Sequence, residues 1–234
     1  MRYQPEATSG NIVAIGDFNP AIFTPDWLES QQLIGAQDAQ GMREAENLVI
    51  TRQVAVLETD SFLLKIDEGR FQAHSKGVLT PALRDLAIGI FELVPHTPAK
   101  FLGQNFVTLF KFFDTDAYHL VGDVLAPKPI WQKLFPNDEH AIGLGSMTIQ
   151  VQKGSRTSLK SKDMRNIIIQ KGSGAGNSIQ ITYNDHHDLG VDRQGGTSSA
   201  AHAAEILRDT WENSWHEASC VVQQLIDLAL AEQP

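Results

Sequence analysis

Met147-Thr-Ile-Gln-Val-Gln152 and Ile179-Gln-Ile-Thr-Tyr-Asn184 decide the fold. In both, apolar and polar side chains alternate with period two, the signature of a strand with one buried and one wet face. Ile167-Ile-Ile169 supplies an apolar strand between them. Downstream, Leu207, Trp211, Trp215, Ala218, Val222, Leu225 and Ala229 recur three to four residues apart. That spacing predicts one helix from about Ser198 to Ala229, roughly 45 Å long at 1.5 Å per residue. A wet-faced antiparallel sheet under a long helix is an α+β arrangement, mostly antiparallel, with helices packed on one face.

Upstream, the chain alternates strands and helices. Asn11–Phe18 reads as an apolar strand ended by Gly16 and the Asn19-Pro20 turn. Thr24-Pro25 and Thr80-Pro81 each pair a good N-cap with proline at the first helical position. The second opens a helix with a Leu83, Leu86, Ile90 and Leu93 stripe. Val54 and Val56, then Phe62, Leu64 and Ile66, mark two strands joined by a turn at Thr59-Asp-Ser61. Phe106–Phe113 is apolar on both faces and predicts a central strand. Asp114-Thr-Asp116 starts another helix, which Pro127 and Pro129 divide. These elements predict a flexible N-terminus over 1–10 and a single α+β domain over 11–234, with two sub-halves, 11–113 and 114–234, left open.

Composition narrows the function. The 234 residues carry 28 acidic and 19 basic side chains, a formal charge of −9. A whole-surface grip on nucleic acid or anionic lipid is not expected of such a chain. The polar first ten residues lack a signal-peptide core, and no apolar run approaches the ~18 residues of a membrane span. Cys220 is the single cysteine. A cytoplasmic protein with no membrane partner is the expectation.

Five groups of residues carry candidate chemistry. His96 and His119 sit at helix–loop junctions, and with Asp123 or Asp17 they provide a general base and an orienting carboxylate if they converge. Helix-end capping explains the same placement without catalysis. Asp17, Asn19, Asn105 and Asp123 form a second set; they either meet or satisfy backbone groups at separate junctions. Third, Asp185-His186-His187-Asp188 offers metal-ligand types, with His186, His187 and Asp188 as weak metal candidates. Adjacent strand residues point to opposite faces, which argues against joint chelation. Fourth, Gly172–Ser178 is Gly-rich, but a strand rather than a helix follows it, so it reads as a hairpin loop and not a phosphate cradle. Finally Lys153, Arg156, Lys160, Lys162 and Arg165 predict an exposed basic hairpin over 153–171, where an anionic partner, including nucleic acid, would dock. No cofactor is implied.

Three blocks carry a resemblance: Asp17-Phe-Asn-Pro-Ala-Ile-Phe23 with Trp27, His96-Thr-Pro98 with Gly103 and Asn105, and His119 with Gly122-Asp123, Ala126-Pro-Lys128 and Trp131. Together they resemble a sporadically distributed, functionally uncharacterised bacterial protein family, over roughly residues 11–185. The resemblance implies a bacterial protein and carries no activity or site residue with it. The leading functional expectation is a non-enzymatic binding or accessory protein acting through a protein partner or as a homo-oligomer. The alternatives are a small hydrolase-like enzyme using His96 or His119 with Asp123, and a binder of an anionic partner through the basic hairpin.

Overall fold

The computed structural model describes residues 2–136, 141–152, 163–173, 176–190 and 198–232. Nine strands form one sheet: β1 (Tyr3–Gly16), β2 (Val49–Ile50), β3 (Val54–Glu58), β4 (Phe62–Asp67), β5 (Arg70–Ser75), β6 (Ala99–Phe112), β7 (Ser146–Gln152), β8 (Met164–Lys171) and β9 (Ser178–Asp188). Their order is β2-β3-β4-β5-β1-β6-β9-β8-β7, and every neighbouring pair is antiparallel. The helices are α1 (Pro25–Ser30), α2 (Ala36–Glu44), α3 (Pro81–Leu93), α4 (Thr115–Leu125), α5 (Pro129–Leu134) and α6 (Ala200–Ala231). The chain is an α+β protein, with a long C-terminal helix against an antiparallel sheet.

Local chemistry sets the helix starts. Thr24 Oγ1 accepts the Trp27 N–H at 3.0 Å, and Asp114 Oδ1 accepts the Asp116 N–H at 2.9 Å. Both satisfy amides that a helix start leaves unpaired. Gly16 is required where β1 ends against Pro98: a Cβ there would lie 2.0 Å from the Pro98 carbonyl oxygen.

The N-terminal residues differ from expectation. Tyr3–Gly10 are strand, paired with Phe106–Phe112 across a bulge between Pro5 and Ala7. Tyr3 packs on Phe110 and Phe112, and its hydroxyl meets Asp227 at 2.5 Å and Gln223 on α6. Burial first, then the Asp227 carboxylate, raises its pKa to about 12. One aromatic anchor thus ties down a segment with no other large apolar side chain. The strand β5, with Phe71 and Ala73 buried, was not legible as a separate element. Hydrogen bonding runs unbroken through β1, β6 and β9, so the sheet does not divide at residue 113.

The core lies between the sheet and α1, α2, α3, α4 and α6. Trp211 on α6 is fully buried against Phe106 on β6, with ring centroids 5.0 Å apart. Phe71 packs edge-on to Phe91 of α3 at 4.9 Å. The buried stripe of α6 includes Leu207, Trp211, Ser214, Ala218, Val222 and Ile226. Ser214 and Ile226 lie where the periodicity alone pointed to Trp215 and Leu225, which flank the stripe. Among the described residues, no helix is long and apolar enough to cross a membrane.

Candidate functional site

Strand alternation gives the sheet two unlike faces. Under α6, the buried phase of β9 runs Ile179, Ile181, Tyr183, Asp185, His187, so a carboxylate and an imidazole continue the apolar row inward. Asp185 has no exposure. Its Oδ2 accepts the Ser214 hydroxyl and lies 3.3 Å from His187 Nε2, while Arg165 Nη1 is 3.3 Å from Oδ1. Arg165 also meets Glu217 at 3.6 Å and the Tyr183 hydroxyl at 3.3 Å. The amide nitrogen of Gln104 is 3.2 Å from His187 Nε2 and donates to Thr210 Oγ1 at 2.6 Å.

Burial by itself would push the Asp185 pKa up, but the His187 and Ser214 bonds and the Arg165 charge outweigh it and hold the carboxyl below its usual range. Burial opposes the charge on Arg165 too, and the Tyr183 bond and Asp185 carboxylate reverse the sign, raising its pKa. Burial also raises the pKa of Tyr183. Although it contains a hydroxyl, an imidazole and a carboxylate, this network is not arranged as a nucleophile and base. Ser214 is directed at Asp185 rather than at His187, and all three side chains are at least nine-tenths enclosed. What it does is fasten α6 to β8 and β9.

The opposite face carries a row of amides. Asn11, Asn105, Asn184 and Asn166 occupy one register line across β1, β6, β9 and β8. Asn105 Nδ2 donates to Asn11 Oδ1 at 2.8 Å, Asn184 Nδ2 to Asn105 Oδ1 at 2.8 Å, and Asn166 Nδ2 to Asn184 Oδ1 at 2.9 Å. Gly103 lies beside the row, and a Cβ there would press to 3.1 Å from Asn184 Nδ2. Around this row the face is apolar and half-buried, with Val13, Val107 and Ile168. His186 stacks on Phe101 at 5.4 Å, and burial followed by the nearby His187 lowers its pKa.

That face carries no formal charge over a wide area. The outward positions of β1 from Ser9 to Ile15, β6 from Phe101 to Leu109, β9 from Gln180 to His186, β8 from Met164 to Gln170 and all of β7 contain no Lys, Arg, Asp or Glu. The hydrogen bonds of its amides and its ring contact run from strand to strand.

The residues selected from sequence are scattered. Asp17 and His96 are exposed at the end of the sheet where the Asp17 N–H bonds the Pro98 carbonyl at 2.9 Å. His119 and Asp123 lie on α4, beyond the other end of β6. The 14 residues of β6 separate the two ends by roughly 45 Å. His119 and Asp123 do share a cleft of about 350 Å³ with Lys128, whose ammonium holds Asp123 at 2.8 Å. Asn19 caps the turn at Pro20 through the Ala21 N–H, so the set Asp17, Asn19, Asn105 and Asp123 does not converge. His186 and His187 face opposite sides of the sheet, as alternation requires, and Asp188 returns to the side of His186.

Arg165 departs from the exposed basic patch in which it was placed. Its side chain is 16% exposed and points at Asp185, because β8 puts it in phase with half-buried Ile167 and buried Ile169. Lys153, Arg156, Lys160 and Lys162 lie outside the described residues. A cleft of about 890 Å³ between α1, α2, β4 and α3 contains none of the candidate site residues chosen from sequence. Of the four tryptophans, Trp211 is core and Trp131 is about half exposed on α5. Comparison with protein-family models and with curated proteins finds no match.

The inward network was partly signalled: Asp185 and His187 already stood out in the sequence as metal-ligand types, whereas Ser214 did not. Asp185 and His187 stand in phase with Ile179 and Ile181, and Ser214 stands three residues from Trp211 in the helical stripe. The asparagine row had no such signal, since only register brings four distant residues into line.

Proposed function

We propose that this chain is a non-enzymatic accessory protein of the bacterial cytoplasm that binds a protein partner through the uncovered face of its sheet. The observation that carries the reading is the charge-free surface across β1, β6, β9, β8 and β7 in a protein with 28 acidic and 19 basic residues. Depletion of charge is what distinguishes the centre of a protein interface from ordinary surface. The amide row adds directional donors and acceptors, which an extended or helical segment lying across the strands could engage. The absence of Lys and Arg from this face argues for a protein rather than for nucleic acid, whose binding draws mainly on phosphate contacts.

The test is affinity capture from a lysate of the native host, comparing wild type with a Val107→Glu/Ile168→Glu double variant and with Leu228→Glu. Leu228 is exposed on α6, away from the face in question. A partner retained by wild type and by Leu228→Glu but lost by the double variant is the expected outcome. Equal retention by all three would remove the open face from the function.

A second reading keeps catalysis by His119 with Asp123, and is favoured by the cleft they share with Lys128. Hydrolysis of an activated ester by the wild type, abolished in His119→Gln, is the result that would establish it.

A further inference from the structure

The two edges of the sheet are built differently. At one end β2 is two residues long, and a very short edge offers little template for another strand. At the other end β7 is seven residues, Ser-Met-Thr-Ile-Gln-Val-Gln, and among the described residues it pairs with β8 alone. It contains no charge, no proline and no glycine. Six of its seven residues are exposed, including Ile149 at 44% and Val151 at 49%. Natural edge strands of this length are ordinarily protected by a lysine, a proline or a bulge. The chain has charge to spare elsewhere and places none here.

The pattern of β7 is also symmetric about its centre. Counting outward from Ile149, Thr148 matches Gln150, Met147 matches Val151, and Ser146 matches Gln152. Polar therefore meets polar and apolar meets apolar when the strand is laid antiparallel on itself. We infer that β7 is the interface to a second copy of this chain, pairing β7 with β7 about a two-fold axis at Ile149 and perpendicular to the sheet.

Face matching selects that geometry. In an antiparallel pair, directly opposed residues point to the same side. An axis perpendicular to the sheet keeps the helices of both copies on one side, so Met147, Ile149 and Val151 meet their counterparts from the second copy. Shifting the register by one residue would set each of these apolar side chains against one of the polar residues Ser146, Thr148, Gln150 or Gln152, and flip one copy. Moving the axis to Thr148 or Gln150 keeps the faces matched but shortens the overlap. Only the axis at Ile149 pairs all seven residues. An isologous contact of this kind closes on itself and does not propagate into a filament. The neutrality of the strand matters here, because two copies each carrying −9 repel unless the contact itself is free of like charge. This pairing rests on the strand edge and is independent of partner binding by the open face.

The experiment is sedimentation equilibrium of the full chain up to about 100 μM, a range that captures interfaces of modest affinity. The wild type is expected to dimerise. Ile149→Lys and Ile149→Glu each set like charges directly opposite one another on the axis, and each should weaken dimerisation at least ~30-fold, the order expected when like charges oppose in an interface. An equimolar mixture of the two variants should restore a dimer of one copy of each, an outcome that misfolding of either variant could not produce. Val49→Lys on the opposite edge should leave the equilibrium unchanged. A wild-type chain that stays monomeric over the whole range overturns the inference, as does a dimer indifferent to both Ile149 variants or a mixture that fails to reassociate.

Discussion

Asn184 and Asp185 are consecutive residues of β9, and they belong to two differently designed surfaces. Asp185, under α6, is completely buried and tied to Arg165, His187 and Ser214. Asn184, on the open face, is half-buried and links Asn105 to Asn166 in a neutral row. The covered face accepts ionic charge because every charged group there has a close partner. The open face, where among the described residues no helix supplies such partners, uses amides that satisfy one another without a net charge. The difference shows that polarity inside this sheet follows what covers each face rather than the strand on which a residue lies.

The sharpest way to break the contrast is Arg165→Met, which leaves the buried Asp185 carboxylate with His187 and Ser214 alone. A loss of about 3–5 kcal/mol is expected, the range for uncovering one member of a buried ion pair. For a chain of this size that is a fall of roughly 2–4 °C in Tm per kcal/mol, measurable by calorimetry. A loss within the range of a surface substitution would mean that Arg165 contributes little beyond solvated charge.

Asp185 also sets a pH dependence with a definite sign. Its folded pKa lies below the ordinary carboxylate value near 3.9, so the unfolded chain binds more protons in the window between the two. Its stabilising contribution is therefore complete above the unfolded value and is lost as pH falls through the folded one. Urea denaturation from about pH 6 to about pH 2 should show a stability decline that is shallower in Asp185→Asn than in wild type. Identical slopes would place the acid sensitivity elsewhere.

On the open face, Asn105→Ala removes the central member of the amide row and leaves Asn184 without its acceptor. A cost of about 1 kcal/mol is expected, because the freed groups are half-exposed and regain water. A cost as large as that of Arg165→Met would erase the distinction between the two faces. Smallest of all should be Ile168→Glu, at no more than about 0.5 kcal/mol in chemical denaturation, while it interferes with partner binding. A strong destabilisation would show that some part of the chain covers that face.

Much of the architecture was legible in local pattern. The alternation in Met147–Gln152 and Ile179–Asn184 and the 3.6-residue stripe of α6 each depend on neighbours a few residues away, which is why the α+β class emerged from the chain itself. The threonine–proline helix starts were equally readable, being short-range chemistry. Tyr3–Gly10 was not, because its polar residues become strand only through β6 and one tyrosine anchored on α6. The candidate site followed the same division: the inward phase of Asp185 and His187 was present in the alternation, whereas Arg165 took its partner from another strand and the asparagine row took its neighbours from three.

By itself, the sequence determined the alternating strands β7 and β9, the long helix α6, the antiparallel α+β class and the opposite orientation of His186 and His187, since each follows from periodicity along one segment. Only the tertiary structure decided that His96 and His119 stand at opposite ends of β6, that Arg165 is an internal partner of Asp185, and that the outward positions of neighbouring stretches of β1, β6, β9, β8 and β7 form a surface without formal charge. The physical reason is that register and the covering of a face are set by contacts between residues tens to more than a hundred positions apart. No local pattern encodes which strand will lie beside which, and charge placement has meaning only once that order exists.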